Sequence, residues 1–136
     1  MAKKKIEDVE GIGPVFGDKL RGAGVADTDS LLSSGKTPAG RKALAEKSGL
    51  SAKQLLRFIN MVDLYRIKGI GSEYADLLEA AGVDTVPELA RRRADNLTAA
   101  MAKVNEEKKL VRRAPTETEV AQWVAQAKEL PRMIEY

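Results

Sequence analysis

Gly69-Ile70-Gly71 repeats an earlier stretch, Gly11-Ile12-Gly13, and this pair of glycine bends decides the fold of the chain. A shift of 58 positions, the distance from Gly11 to Gly69, aligns the two bends together with apolar and small residues on both sides. The further aligned pairs are Ile6 with Leu64, Val9 with Ile67, Leu20 with Leu78, Ala23 with Ala81, Gly24 with Gly82, Val25 with Val83 and Leu31 with Leu89. Agreement in this order indicates an internal duplication.

Each copy predicts a short helix, a two-glycine bend and a second helix. Apolar residues three apart, such as Ile6 and Val9, give the first helix one buried face. The glycines of the bend allow backbone angles that a side chain would obstruct, and they let another molecule approach the backbone closely. A glycine after the second helix, Gly24 in one copy and Gly82 in the other, predicts a left-handed cap that ends the helix.

Composition limits the classes of function. The 136 residues suffice for one compact domain or two small fused ones. The sequence has no cysteine and no histidine, which excludes disulfides, Cys/His zinc sites and nucleophile-histidine pairs. It shows neither an apolar run of transmembrane length nor a signal peptide, so we expect a soluble protein, and a cytoplasmic location is compatible with it. The net charge of +3, with its basic excess in the first half, permits binding to a polyanion without requiring it.

Helix signals fill the rest of the chain and no strand signal competes with them, so we expect an all-α fold. A first helix is expected over Lys3 to Val9, and a long helix from Ala52 to about Ile67 closes one module and opens the next. The sequence thus predicts two fused modules, residues 1–63 and 64–136, that share this central helix. The predicted helix caps are Asp27, Thr37, Ser51, Ser72, Thr85 and Thr116.

The second module contains an insertion. Its last helix aligns with the first module at a shift of 65, which places Trp123 on Phe58, so about seven extra residues fall within 105–115. The insertion carries a basic run, Lys108, Lys109, Arg112 and Arg113. A solvated loop and a site for a polyanion or an acidic partner both remain open for it.

The two bends with their flanking helices resemble the helix-hairpin-helix motif. The run from Ala81 to Ala90, A-G-V-D-T-V-P-E-L-A, is similar to the five-helix, SAM-like modules found at recombinase N-termini and at the end of the α chain of bacterial RNA polymerase. Residues 37–42, 64–71 and 104–113 look typical of a bacterial family of tandem helix-hairpin-helix proteins whose function is unknown.

In proteins with this motif the bend meets the sugar-phosphate backbone of DNA through backbone N–H groups and the N-terminus of the next helix. The resemblance therefore implies a non-enzymatic, sequence-nonspecific module that binds duplex DNA. The implied contacts are Gly11, Ile12, Gly13, Lys19 and Arg21 in the first copy, Lys68, Gly69, Ile70, Gly71 and Ser72 in the second, and Lys108, Lys109, Arg112 and Arg113 in the insertion.

The second bend is the poorer candidate. Glu73 and Asp76 follow it, and carboxylates there favour the helix dipole but repel a phosphate. If both bends are purely structural, the alternative is a protein-protein interaction adaptor with an acidic partner. We expect no enzyme, because no acid, base or nucleophile stands in a convincing arrangement. We also expect no cofactor, metal site, small-molecule substrate or membrane partner.

Overall fold

The computed structural model describes residues 5–9 and 11–135, and these residues form eight α-helices and no β-strand. The prediction of an all-α fold is confirmed. After a 3-10 helix at Ile6–Asp8 come α1 Gly13–Gly22, α2 Thr28–Gly35, α3 Pro38–Ser48, α4 Ala52–Leu64, α5 Ser72–Ala80, α6 Val86–Ala90, α7 Ala94–Lys108 and α8 Glu117–Glu129. Among the described helices, none has the length and apolar character needed to cross a membrane.

The chain divides into two compact units after Asp63. The N-terminal unit holds the described residues up to that point together with 133–135, and the C-terminal unit holds Leu64–Arg132. Arg41 ties the end of the chain into the N-terminal unit, because its guanidinium donates to the carbonyl oxygens of Gly35 (2.9 Å) and Glu135 (2.7 Å). The last described residues are therefore part of the N-terminal unit's structure.

The duplication in the sequence recurs in backbone hydrogen bonds. One backbone hydrogen bond occurs at equivalent positions in both bends, and a second occurs at equivalent positions at the ends of α1 and α5. These bonds run from Ile12 to Val9 (3.1 Å), from Ile70 to Ile67 (3.2 Å), from Val25 to Leu20 (2.9 Å) and from Val83 to Leu78 (2.8 Å). The two copies therefore share backbone geometry from the bend to the end of the following helix.

Side-chain caps begin five of the helices, as predicted. In each, a side-chain oxygen accepts from the backbone N–H three residues later, which satisfies a donor that has no partner within the helix. The pairs are Asp27 with Ser30 (2.8 Å), Thr37 with Gly40 (3.0 Å), Ser51 with Gln54 (3.1 Å), Thr85 with Glu88 (3.3 Å) and Thr116 with Glu119 (3.2 Å). The sixth prediction is wrong: Gly71 is the N-cap of α5, and the Ser72 hydroxyl lies 3.0 Å from the Tyr65 hydroxyl.

Two predicted helices are shorter in the structure. The central helix predicted to reach Ile67 ends at Leu64. The Ile67 N–H donates a hydrogen bond to the Leu64 carbonyl oxygen, three residues earlier, at 3.1 Å, which forms a tighter turn than an α-helix. The helix expected over Lys3 to Val9 is a 3-10 helix of three residues, and Lys3 lies outside the described part of the chain. In the two copies Gly11 and Gly69 follow these helices with positive φ, and the chain bends there.

Large apolar side chains fill the core of each unit. Those with almost no exposure include Ile6, Leu20, Leu31, Leu55 and Ile59 in the N-terminal unit, and Leu77, Leu78, Leu89 and Leu97 in the C-terminal unit. Each contributes roughly 1.5–3 kcal/mol relative to an exposed side chain. These are the positions at helical spacing in the sequence, so the buried faces follow the apolar pattern.

One aromatic pair recurs in both units. Phe16 of α1 packs on Phe58 of α4 with 6.1 Å between ring centroids. The equivalent residues, Tyr74 of α5 and Trp123 of α8, pack with 5.2 Å between centroids. Tilted pairs of this kind contribute about 0.5–1.5 kcal/mol beyond the area they bury. Each pair joins the helix after a bend to the last helix of its module.

Candidate nucleic-acid interface

Each glycine bend lies against an aromatic ring of the same unit. Gly11 has φ +91° and Gly69 has φ +100°, angles that side chains rarely adopt. A Cβ added at Gly11 would come within 3.4 Å of the Phe58 ring, and one at Gly69 within 2.9 Å of the Trp123 indole nitrogen. Glycine is therefore favoured at both positions by the backbone angle, and at Gly69 also by the lack of space beside Trp123.

The middle residue of each bend faces inward. Ile12 and Ile70 are buried, and their N–H groups donate to Val9 O and Ile67 O within the bend. Their side chains anchor the bends, and these two N–H groups are already engaged. A phosphate at either bend would instead meet the first N–H groups of α1 or α5, which have no partner within the helix.

The start of α1 is open to solvent. Gly13 has φ +63°, and a Cβ there would meet no atom of the described residues within 4 Å. Pro14 is exposed, and Val15 is 66% exposed although it is a large apolar residue. Neither side chain contributes to the core, so this turn presents its backbone and a small apolar surface outward.

Arg57 adds a cation at the N-terminal bend. Its guanidinium Nη1 lies 2.9 Å from the point that a Cβ on Gly11 would occupy, so the group lies over the bend itself. Sequence reasoning missed it because Arg57 reads as one polar residue on the outer face of an amphipathic helix. In the sequence, the one indication of this role is that Arg57 precedes Phe58. That indication became useful only after the structure placed the Phe58 ring against Gly11.

Lys19 is connected to the same bend through the two phenylalanine rings. Its Nζ lies 5.9 Å from the centroid of Phe16, which packs on Phe58 under Gly11. The lysine side chain is exposed, so this cation-π contact contributes about 0.5–1 kcal/mol. The structure thus links Lys19 and Gly11, two residues that the sequence proposed together.

Arg21 has two carboxylate partners close by. Its guanidinium lies 2.5 Å from Asp18 Oδ1 and 2.5 Å from Glu7 Oε1. Hydrogen bonds to Asp18 and then Glu7 raise the pKa of Arg21 above its usual value. The pKa of Glu7 is held below its usual value, mainly by a hydrogen bond from the backbone and next by the hydrogen bond from Arg21. The carboxylates offset the arginine charge, which leaves Arg21 little to offer a phosphate.

The C-terminal bend is held by an amide side chain. The Lys68 N–H donates to Gln126 Oε1 at 2.8 Å, and Gln126 Nε2 donates to Lys68 O at 3.1 Å. This pair fixes the backbone just before Gly69 from within the unit. Glu73, at the position equivalent to Val15, is exposed in the first turn of α5. A carboxylate there stabilises the helix by about 0.3–1 kcal/mol and opposes an incoming phosphate.

The insertion leaves α7 through a strained residue. Lys109 has φ +52° and ψ +48°, left-handed angles that glycine usually supplies, and its N–H donates to Asn105 O at 2.8 Å. The Asn105 side-chain oxygen accepts from the Val111 N–H at 2.9 Å, and Val111 is buried. The middle of the insertion is therefore anchored to its unit.

Arg113 is also part of this anchoring. Its guanidinium donates twice to the Glu119 carboxylate, at 2.8 and 3.1 Å, and its carbonyl accepts from the Tyr74 hydroxyl at 3.0 Å. The hydrogen bond from Arg113 and then that from the Thr116 amide lower the pKa of Glu119 to about 2. Within the basic run, Lys108, Lys109 and Arg112 are the exposed residues for which the structure gives no side-chain ion pair among the described contacts.

Carboxylates do not gather into a metal site in the described ranges 5–9 and 11–135. No group of three or more acidic residues there is placed to hold an ion.

Comparison with known proteins identifies a family. The model of a family described as a domain of unknown function (DUF4332) matches residues 10–130, and the chain belongs to this family. No curated protein and no solved structure matches it. The expected membership of a family of unknown function is confirmed, while the helix-hairpin-helix character stays a prediction.

Proposed function

We propose that this member of the DUF4332 family is a non-enzymatic helix-hairpin-helix module that binds the backbone of duplex DNA without reading sequence. The N-terminal bend is the main contact in this proposal. One observation carries it: the Arg57 guanidinium lies over Gly11, beside an open first turn of α1. The equivalent surroundings of the C-terminal bend hold the Trp123 indole and the Glu73 carboxylate.

The grip at the N-terminal bend would combine amides with charge. The N–H groups in the first turn of α1, which have no partner within the helix, and the positive end of the helix dipole favour a phosphate oxygen. Pro14 lacks an N–H but leaves its neighbours in place. Arg57 and Lys19 would then replace counterions released from the DNA. Contacts of this kind position a protein on a duplex and carry no sequence information.

The C-terminal unit would add weaker contacts. Lys68 is exposed next to Gly69, and the exposed residues of the insertion are Lys108, Lys109 and Arg112. Gly69, Ile70, Gly71 and Ser72 shape the second bend in this proposal rather than dominate the affinity, because the neighbouring Glu73 repels a phosphate. Arg21 and Arg113 are left out because carboxylates engage both. The proposal places the protein in the cytoplasm, with which a chain lacking cysteine is compatible.

A salt titration of duplex DNA binding tests the proposal. With about three to four phosphate contacts, the slope of log K against log salt should be near −3, and duplexes of unrelated sequence should give the same slope. Fluorescence anisotropy of a labelled duplex measures both. No detectable binding at about 50 mM salt would contradict the proposal and favour the protein-protein adaptor instead.

A further inference from the structure

A groove with a mostly apolar lining lies between α3 and α4 in the N-terminal unit, with a volume of about 480 Å³. Pro38 and Ala45 line it from α3, and Ala52 and Leu56 line it from α4. Ala45 and Leu56 are half-buried, and the other two are exposed. The unit therefore has a concave apolar strip on its surface. Such a contiguous strip differs from the single hydrophobic residues that are scattered over most protein surfaces.

Positive charge borders this groove. Lys42 from α3 and Lys53 from α4 line it, and both are exposed. Arg41 also lines it, and its guanidinium donates to two carbonyl oxygens, which are neutral and do not cancel its charge. Among the described residues that line it, Glu46 is the one carboxylate. The groove thus combines an apolar interior with a basic border.

The duplication provides a comparison within the same chain. A groove of about 520 Å³ lies between the start of α7 and α8 in the C-terminal unit. There Ala121 stands at the position of Leu56, and acidic side chains share the lining with the basic ones. One of its cations, Arg93, lies 2.9 Å from Asp95. The N-terminal groove has the larger apolar residue and the larger basic excess, with three cations and one carboxylate in its described lining against three cations and two carboxylates in that of the C-terminal groove. These two features are therefore not consequences of the repeated fold.

We propose that the groove between α3 and α4 binds a segment of a partner protein that presents apolar side chains flanked by carboxylates. Leucine-like side chains fit the strip around Ala45 and Leu56, and carboxylates complement Lys42 and Lys53. A sugar-phosphate backbone would leave the apolar lining without a matching surface, and a basic segment would meet like charge. This interaction goes beyond DNA binding and does not depend on it.

The test titrates the full chain, labelled with ¹⁵N, with a synthetic helical peptide that carries leucine at i, i+3, i+4 and i+7 and glutamate elsewhere. We expect chemical-shift changes confined to α3 and α4 and a Kd on the order of 10–100 µM. A peptide with lysine in place of each glutamate is the matched probe, and it should bind at least about tenfold more weakly.

Two variants locate the site. Leu56→Glu places a carboxylate on the apolar strip, and Lys53→Glu reverses one border charge; each should weaken binding of the acidic peptide about tenfold. Lys47→Glu, an exposed change on α3 outside the lining, and Ala121→Glu in the C-terminal groove are the controls and should leave the affinity unchanged. Circular dichroism checks that each variant keeps its helices.

Three results would overturn the proposal. They are the absence of shifts in α3 and α4 at about 1 mM acidic peptide, equal binding of the lysine peptide, and loss of duplex DNA binding in Lys53→Glu with peptide binding unchanged. The last result would assign the groove to nucleic acid. A failure of DNA binding alone leaves the peptide titration unaffected, so the two proposals fail separately.

Discussion

The two glycine bends share their sequence, their internal hydrogen bond and a packed aromatic ring, yet several of the side chains around them differ. The N-terminal bend has Arg57 over Gly11 and the exposed Val15 in its first helical turn. The C-terminal bend has Gln126 holding its backbone and Glu73 in its first turn. The duplication thus keeps what fixes the backbone, while the neighbours of each bend decide whether an anion can approach.

The difference extends to the second glycine of each bend. Gly13 has φ +63° and begins α1, whereas Gly71 has φ −107° and precedes α5 as its N-cap. The helix after the N-terminal bend therefore starts one aligned position earlier. A glycine is needed for its backbone angle at Gly13, while any residue adopts the extended angle of Gly71. Identical residues at aligned positions of the two copies are therefore not under the same conformational constraint.

The largest difference between the bends is expected in their tolerance of a methyl group. Gly69→Ala brings a Cβ to 2.9 Å from the rigid, buried Trp123 indole, whereas Gly11→Ala brings it to 2.9 Å from the flexible end of Arg57. Both variants strain a positive φ, at about 1–3 kcal/mol each, and Gly69→Ala adds about 1–3 kcal/mol of overpacking. Urea denaturation measures both free energies of unfolding.

Gly71→Ala is the control for that comparison, because the backbone of Gly71 is extended and a Cβ there meets nothing within 4 Å among residues 5–9 and 11–135. We expect it to change stability by less than about 1 kcal/mol. Equal losses in Gly11→Ala and Gly69→Ala would show that the two rings support the bends alike, contrary to this comparison.

The next effect concerns DNA affinity at the two bends. Arg57→Glu should weaken duplex binding about tenfold and make the salt slope shallower by about 1, because one phosphate contact is lost. Glu73→Gln removes a repelling carboxylate and should raise the affinity about two- to threefold. Lys47→Glu, an exposed change of the same sign as Arg57→Glu, should leave the slope unchanged. If Lys47→Glu and Arg57→Glu behave alike, the affinity reflects net charge and not the bend.

A smaller effect is the pH dependence of the stability of the C-terminal unit. The pKa of Glu119 is about 2 in the folded chain, below the ordinary 4.5, so its bond to Arg113 stabilises the C-terminal unit above about pH 4.5. That contribution is lost as the pH falls from about 4.5 to about 2. Because the pair is partly exposed, solvent screening keeps this contribution small. Glu119→Gln should remove this part of the pH dependence in urea denaturation between pH 7 and pH 3.

Glu7→Gln serves as the comparison in the N-terminal unit, since the pKa of Glu7 is also lowered there. A pH profile of Glu119→Gln identical to that of the parent chain would mean that the Arg113 pair does not contribute to folding.

The smallest expected change lies in the insertion. Lys109→Gly replaces a left-handed non-glycine residue at the end of α7 and should stabilise the chain by about 0.5 kcal/mol. The melting temperature should rise by about 2 °C. Lys108→Gly, one residue earlier and still helical, is the matched control and should destabilise by about 1 kcal/mol. A destabilised Lys109→Gly would indicate that the lysine side chain contributes to the fold.

Much of the fold could be predicted because the signals are local. Asp27, Thr37 and Thr116 cap their helices through a backbone N–H three residues away, a contact that neighbouring residues alone create. The all-α fold follows from the same signals. The end of α4 at Leu64 was missed, since apolar spacing continues through Ile67 and only the hydrogen bonds of the turn show that the helix has ended.

The candidate site divides in the same way. The sequence by itself determined the duplication, the two bends and the helices around them, because glycine angles, caps and apolar periodicity act over a few residues. Only the tertiary structure placed Arg57 over Gly11 and Gln126 against Lys68, since each contact joins residues more than forty positions apart. Packing between distant helices sets the charge and access at each bend, and no local pattern encodes it.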